Sequence, residues 1–127
     1  KIPTTYTDPS GLNPYNSQLS TITIKWDESS TDEVKQERII TQKWIANWML
    51  GNEAWADYRR TGYPKLIPTT DEGNMSGGTV DNKKGARRMP YPSAEYIDNT
   101  VNVQYAVNNY LKRADNMATD LWWACKP

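Results

Sequence analysis

Apolar and polar positions alternate with two different periods along this chain, and the change of period marks its organisation. From Ile40 to Leu66 the sequence reads ITQKWIANWMLGNEAWADYRRTGYPKL. Ile40, Trp44 and Trp48 stand four apart on one helical face, and Ile45 and Met49 widen it. The pattern predicts a long helix from about Thr31 to Leu50. Ser30 and Glu33 resemble a capping box at its start, where Asp32 and Glu33 also complement the helix dipole. A second, shorter helix is expected after Gly51, capped by Asn52 and stopped by Gly62 and Tyr63-Pro64, so that residues 31–66 form a helical elbow hinged at Gly51.

Upstream, STITIKW sets Ile22, Ile24 and Trp26 against Thr21, Thr23 and Lys25, the period of a half-buried strand with no partner strand of its own in this chain. Residues 1–30 therefore read as an irregular lead-in containing one short strand. Residues 67–86 hold Gly73, Gly77, Gly78 and Gly85 and few apolar side chains, which predicts a variable loop with a loose hairpin turn. Residues 87–127 read as terminal helices. A short helical turn should begin near Ser93 and end at Asp98-Asn99, and a helix capped by Asn102 should run to Lys112 or Arg113. Asp115-Asn116 offers a further start before Leu121, Trp122 and Trp123. The expected fold class is mainly α, irregular, with long loops and at most one short hairpin or strand.

Composition narrows the function classes. Lysine plus arginine equals aspartate plus glutamate at 15 each, so no net field favours nucleic acid or an anionic membrane. Histidine is absent, which removes histidine-dependent triads and the commonest metal ligand. The one cysteine, Cys125, supports neither an internal disulfide nor a cysteine metal cluster, and reads as a buried or tolerated thiol. No apolar run approaches the ~18 residues of a membrane span, and KIPTTYTDPS is not a signal peptide, so any export signal is expected upstream. A length of 127 residues suits one modest unit, and the mean hydropathy of -0.84 suggests a fragment that does not fold independently.

Indole faces can stack on sugar rings, but Trp44, Trp48, Trp55, Trp122 and Trp123 sit beside aliphatic residues at helical spacing and are read as core. The aromatics of irregular segments, Tyr6, Tyr15, Tyr91 and Tyr96, are the candidate ligand contacts. Arg59-Arg60 and Arg87-Arg88 can clamp an anion, although Glu53, Asp57 and Glu95 point instead to structural ion pairs, with the first member of each arginine pair facing solvent. Asp71-Glu72 and Asp81 match no calcium-loop spacing and read as solvated charge. No catalytic residue, metal ligand or cofactor is expected.

QKWIANWMLGNEAWADYRRTGYPKLIP, then RRMPYPSAEYIDNTVNVQYAVNNY after a loop, then DNMATDLWW, together resemble the carboxy-terminal region of SusD/RagB-type nutrient-binding outer-membrane lipoproteins. The resemblance runs from about Thr31 to Trp123. It implies a surface protein of a Bacteroidetes-type bacterium, lipid-anchored through an amino-terminal cysteine that this chain does not contain. It further implies a tetratricopeptide-containing amino-terminal remainder as partner, an oligosaccharide or peptide ligand, and delivery to a SusC-like TonB-dependent transporter. The matched motif carries scaffold residues, Trp44, Trp55, Arg59, Arg60, Tyr63 and Pro64, and no ligand residues. Two other readings stand beside this one: an accessory segment of a glycoside-processing enzyme, and a purely structural or protein-interaction module.

Overall fold

A computed structural model describes residues 9, 20–71 and 73–124. The chain divides into two compact units, Lys1–Pro68 and Thr69–Pro127. Both are helical, and no strand occurs among the described residues.

In the first unit, α1 spans Asp32–Ala46 and α2 spans Gly51–Thr61. Thr31, rather than Ser30, caps α1: its hydroxyl accepts from the Val34 amide at 3.4 Å, while Ser30 donates to Asp27. The expected run to Leu50 stops four residues early. Asn47 leaves the helical region at φ -83° and ψ 26°, its amide still bonded to the Lys43 carbonyl, and the Leu50 amide closes a turn onto Asn47 at 2.8 Å. The hinge of the elbow is thus Asn47–Leu50. Gly51 opens α2 after Leu50, and Asn52 lies inside the helix without capping it. Gly62 ends α2 as expected, in the left-handed region at φ 77° where a side chain is disfavoured. The Tyr63-Pro64 peptide that follows is cis.

α1 and α2 pack against each other, with Ile40, Ala54 and Tyr63 as the buried apolar residues. Polar bonds fix their ends. Lys43 Nζ bridges Asp57 at 2.7 Å and Glu53 at 2.9 Å, and the Tyr63 hydroxyl donates to Glu33 at 2.6 Å. Buried Glu37 takes Ser20 Oγ at 2.6 Å and Lys65 Nζ at 3.1 Å.

The strand expected in STITIKW does not form. An extended segment needs a ladder for its amides and carbonyls, and the described residues supply no second strand. Side chains take over instead: Arg38 Nε donates to the Thr23 carbonyl at 2.9 Å, and the Trp26 indole donates to Glu28 at 2.6 Å. Ile24, predicted to be half-buried, is exposed.

In the second unit, the described residues of 69–86 form a loop as expected, with one bridge among them, between Asp81 and Gly85, as its hairpin turn. Then follow α3 (Ser93–Asp98), α4 (Thr100–Ala106), a π-helical turn (Val107–Leu111) and a 3₁₀ turn (Trp122–Ala124). Asn102 does not cap α4; it lies within the helix and donates to Asn99, whose backbone precedes it. Lys112 at φ 55° stops the π turn where the sequence placed the end. No helix starts at Asp115-Asn116, because the Asp115 carboxylate is bound to residues far back in the chain. No described helix is long and apolar enough to cross a membrane.

Candidate functional site

Two aromatic groupings stand out, one in each unit. In the first, the end of α1 and the start of α2 enclose a cavity of about 340 Å³ walled by Trp44, Trp48, Trp55, Tyr58 and Leu66, with Asn47 at its edge. The four-residue spacing that put Trp44 and Trp48 on one face brings them here, and the turn at Asn47–Leu50 swings Trp55 across from them. Arg59 stacks its guanidinium 3.7 Å from the centre of the Trp55 ring. Trp48, read from sequence as core, is 78% exposed. Its side chain lines the cavity just past the end of α1. Trp122 is likewise exposed, and Trp123 partly so.

The second grouping centres on Asp115. One carboxylate oxygen accepts a short bond from Arg88, the other accepts from the Tyr96 hydroxyl at 2.6 Å, and both receive the Tyr91 amide at 3.1 and 3.2 Å. The Arg88 guanidinium also faces the Tyr91 ring at 5.0 Å. Burial pushes the Asp115 carboxyl up, but the bonds from Tyr96, Arg88 and the Tyr91 amide outweigh it and hold it below the ordinary range. The Tyr96 hydroxyl is correspondingly raised by its bond to that anion. Next to this cluster Arg87 Nε meets Asp120 at 2.5 Å, with Lys84 on the other oxygen at 3.0 Å, and the Arg87 amide donates to the Met117 carbonyl at 2.7 Å. The Asp120 carboxyl also ends below its usual range, its bonds to Arg87 and Lys84 overcoming the effect of burial.

These contacts correct the sequence reading of the arginine pairs. Arg87 and Arg88 are both buried, so Arg87 does not face solvent, and their partners are Asp120 and Asp115 rather than Glu95. Glu95 instead accepts from Asn99. Glu53 serves Lys43, and Arg60 reaches Asp57 at 2.9 Å. The Asp57 carboxyl is lowered chiefly by the Lys43 hydrogen bond. Asp115, Asp120 and Asn47 were missed from sequence. No local pattern could have found the two acids, which lie 33 and 27 residues from Arg87 and Arg88.

Of the candidate ligand tyrosines, Tyr91 and Tyr96 come together around Asp115, with the Tyr96 ring partly exposed. Tyr6 and Tyr15 lie outside the described residues, as do Glu72 and Cys125. The motif residues Trp44, Trp55, Arg59, Arg60, Tyr63 and Pro64 all belong to the elbow and the segment that leaves it. In the loop, Asp81 accepts the amides of Lys83 and Lys84 at 2.8 and 2.6 Å, and Asp71 accepts from Asn82. Chemically, the grouping around Asp115 offers flat rings and an acceptor oxygen on Tyr96, groups that can hold hydroxyl-rich ligands. Among the described residues, the carboxyls of Asp27, Glu28, Asp57, Asp115 and Asp120 are all shifted down, toward the anion.

Comparison with known proteins places these features in context. The SusD-like family model, described as Susd and RagB outer membrane lipoprotein, matches residues 1–124. A SusD homolog from Bacteroides uniformis is 72% identical over 96% of this chain, with a TM-score of 0.84 and 25% of its own length covered. A chitin-binding SusD homolog from Flavobacterium johnsoniae is 42% identical over 96% of this chain and 25% of its own, at a TM-score of 0.78. A third SusD homolog, from Bacteroides thetaiotaomicron, is 40% identical over 97% of this chain and 27% of its own, at 0.77. The chain therefore spans about a quarter of the length of these solved relatives. No curated protein matches it.

Proposed function

The chain belongs to the SusD-like family of outer membrane lipoproteins, and from that premise we propose that it is the carboxy-terminal portion of a non-catalytic receptor. The receptor binds oligosaccharide at the bacterial cell surface, where a lipid anchor holds it, and delivers the sugar to a SusC-like TonB-dependent transporter. The observation that carries the ligand class is the 42% identity, over 96% of this chain, to a protein that binds chitin. Two features of the site support it. Asp115 and Asp120, the shifted carboxyls of this site, lie below their usual range, away from the protonated form that a glycosidase acid needs at neutral pH. Tyr91 and Tyr96 present aromatic surface, and the Tyr96 hydroxyl oxygen can accept, which suits stacking and hydroxyl recognition in a shallow, wet site.

On this reading Tyr91 and Tyr96, with Tyr6 and Tyr15, contact the ligand, whereas Trp44, Trp55, Arg59, Arg60, Tyr63 and Pro64 are architectural. Residues 1–127 act as one carboxy-terminal segment. Titration calorimetry of the intact receptor against N-acetylglucosamine oligomers and a panel of other glycans tests the proposal. Saturable heat with at least one glycan and no turnover is expected; silence across the panel, or hydrolysis abolished by replacing one carboxylate, overturns it.

A further inference from the structure

The second unit contains an aromatic pair that the cluster around Asp115 does not use. Tyr105 stands at the end of α4 and Tyr110 in the π-helical turn, and their rings meet edge to face, 5.9 Å between centres and 82° between planes. Five residues apart on an α-helix, two side chains diverge by about 140° and point away from each other. The π turn reduces that divergence. Its hydrogen bonds reach one residue further, as in the bond from the Lys112 amide to the Val107 carbonyl at 2.8 Å, and Tyr110 comes back to Tyr105. Such turns are rare and concentrate at functional sites. A turn kept for packing would bury what it gathers, yet within this chain Tyr105 is 58% and Tyr110 73% exposed.

The surroundings select the ligand. From Asn99 to Leu111 no side chain is charged, in a chain where 24% of residues are. The residues flanking the rings carry amides instead: Gln104 and Asn108 are exposed, and Asn109 donates to the Tyr105 carbonyl at 2.8 Å, which leaves its amide oxygen to accept. Neither phenol hydroxyl has a hydrogen-bond partner among the described residues, whereas that of Tyr96 gives its proton to Asp115. Both can therefore donate and accept. Flat rings amid uncharged groups of this kind match a sugar, whose C–H faces are apolar and whose hydroxyls also do both. A protein contact on the same surface would have to pair those amides and hydroxyls one by one, and an anionic glycan would meet no cation between Asn99 and Leu111.

We propose that Tyr105 and Tyr110 form a further subsite for the receptor's oligosaccharide, one that takes a neutral sugar residue. The inference rests on reading the chain as part of a glycan receptor, and it adds to the tyrosines around Asp115. Tyr110, the more exposed ring, stacks on a pyranose face. Tyr105 stands nearly at a right angle to it, and its hydroxyl and the Asn108 and Asn109 side chains bond the sugar's rim.

Nitration of the intact receptor with tetranitromethane, read by peptide mass spectrometry, tests this alongside calorimetry. The neutral probes are oligomers of N-acetylglucosamine, glucose and mannose, and the acidic probe is a galacturonate oligomer. Both tyrosines should be nitrated in the free receptor and protected at saturation by whichever neutral oligomer gives heat. Tyr110→Ala should weaken that binding roughly two- to tenfold, and Tyr110→Phe, which keeps the ring, should weaken it less. Rings that resist nitration before any glycan is added belong to an internal contact and overturn the proposal. Heat without protection overturns it too, as does heat from galacturonate alone or a correctly folded Tyr110→Ala receptor that binds as tightly as the unaltered one; each of these leaves the proposed function standing. Heat from none of the probes removes that reading and this inference with it. The nitration arm uses the unaltered chain, so it decides the matter even where a substitution disturbs folding.

Discussion

In the first unit Asp57 receives Lys43 and Arg60, whose side chains remain 42% and 55% exposed, whereas in the second Arg88 and Asp115 meet with side chains only 6% and 7% exposed. The same kind of ion pair therefore has two different jobs. Hydrated cations around Asp57 add little to stability, and the elbow is ordered by the packing of α1 on α2 around Ile40, Ala54 and Tyr63. In the second unit the only buried apolar side chains among the described residues are Val103 and Ala124, and the buried polar set includes Arg87, Arg88 and Thr119. There the irregular backbone is organised by charge. A buried pair is worth little over an apolar substitute, yet removing one partner strands the other, so such a unit tolerates single changes poorly.

The largest effect expected is from Asp115→Ala, which strands the buried Arg88 and also removes the acceptor of the Tyr96 hydroxyl and the Tyr91 amide. A loss of about 3–5 kcal/mol is predicted for the second unit, read as faster amide hydrogen exchange across residues 87–120 with residues 32–61 unaffected. Uniform loss in both segments would erase the distinction.

Acid should act next. The Asp115 and Asp120 carboxyls lie lower in the folded chain than the ~4 of a free aspartate, so the unfolded state takes up protons first as the pH falls. Their contribution is complete above about pH 4 and disappears as the pH drops through the depressed folded-state values. Exchange in the second unit should rise over that range, and Asp115→Ala should blunt the rise.

Asp57→Asn should cost only about 1 kcal/mol, because its cations stay half in water, and 1 M salt should shrink that difference while leaving the Asp115 effect nearly intact. Chemical denaturation with and without salt checks it. Gly62→Ala, at φ 77° with open space around the absent side chain, tests backbone alone and should cost about 1 kcal/mol, measured the same way. The smallest change concerns binding: Tyr96→Ala should weaken glycan affinity roughly two- to tenfold by calorimetry, within the range of one aromatic contact.

What could be read from sequence follows from the range over which each signal acts. The stop at Gly62, the short helix at Ser93–Asp98 and the arrest near Lys112 are local, and they were legible. The hinge was not, because the apolar period runs unbroken through Trp48 and Met49 while the backbone turns at Asn47. The strand failed for a reason alternation cannot encode, the want of a partner. Arg87 and Arg88 find their acids 33 and 27 residues away, beyond any local pattern. At the candidate site, Tyr91 and Tyr96 could be picked out as aromatics of an irregular segment, but the carboxylate that gathers them could not. The tryptophan spacing likewise revealed a broad face and was silent on whether anything within the unit closes over it.

Met49 carries that silence into redox chemistry. Its thioether projects from the hinge nearly as openly as that of Met75, which is 98% exposed in the loop. Peroxide would turn either into a sulfoxide, but only at Met49 does the new dipole land in the middle of an oily surface. The elbow therefore holds an oxidisable atom where polarity matters most, and a matched reference atom sits elsewhere in the same polypeptide.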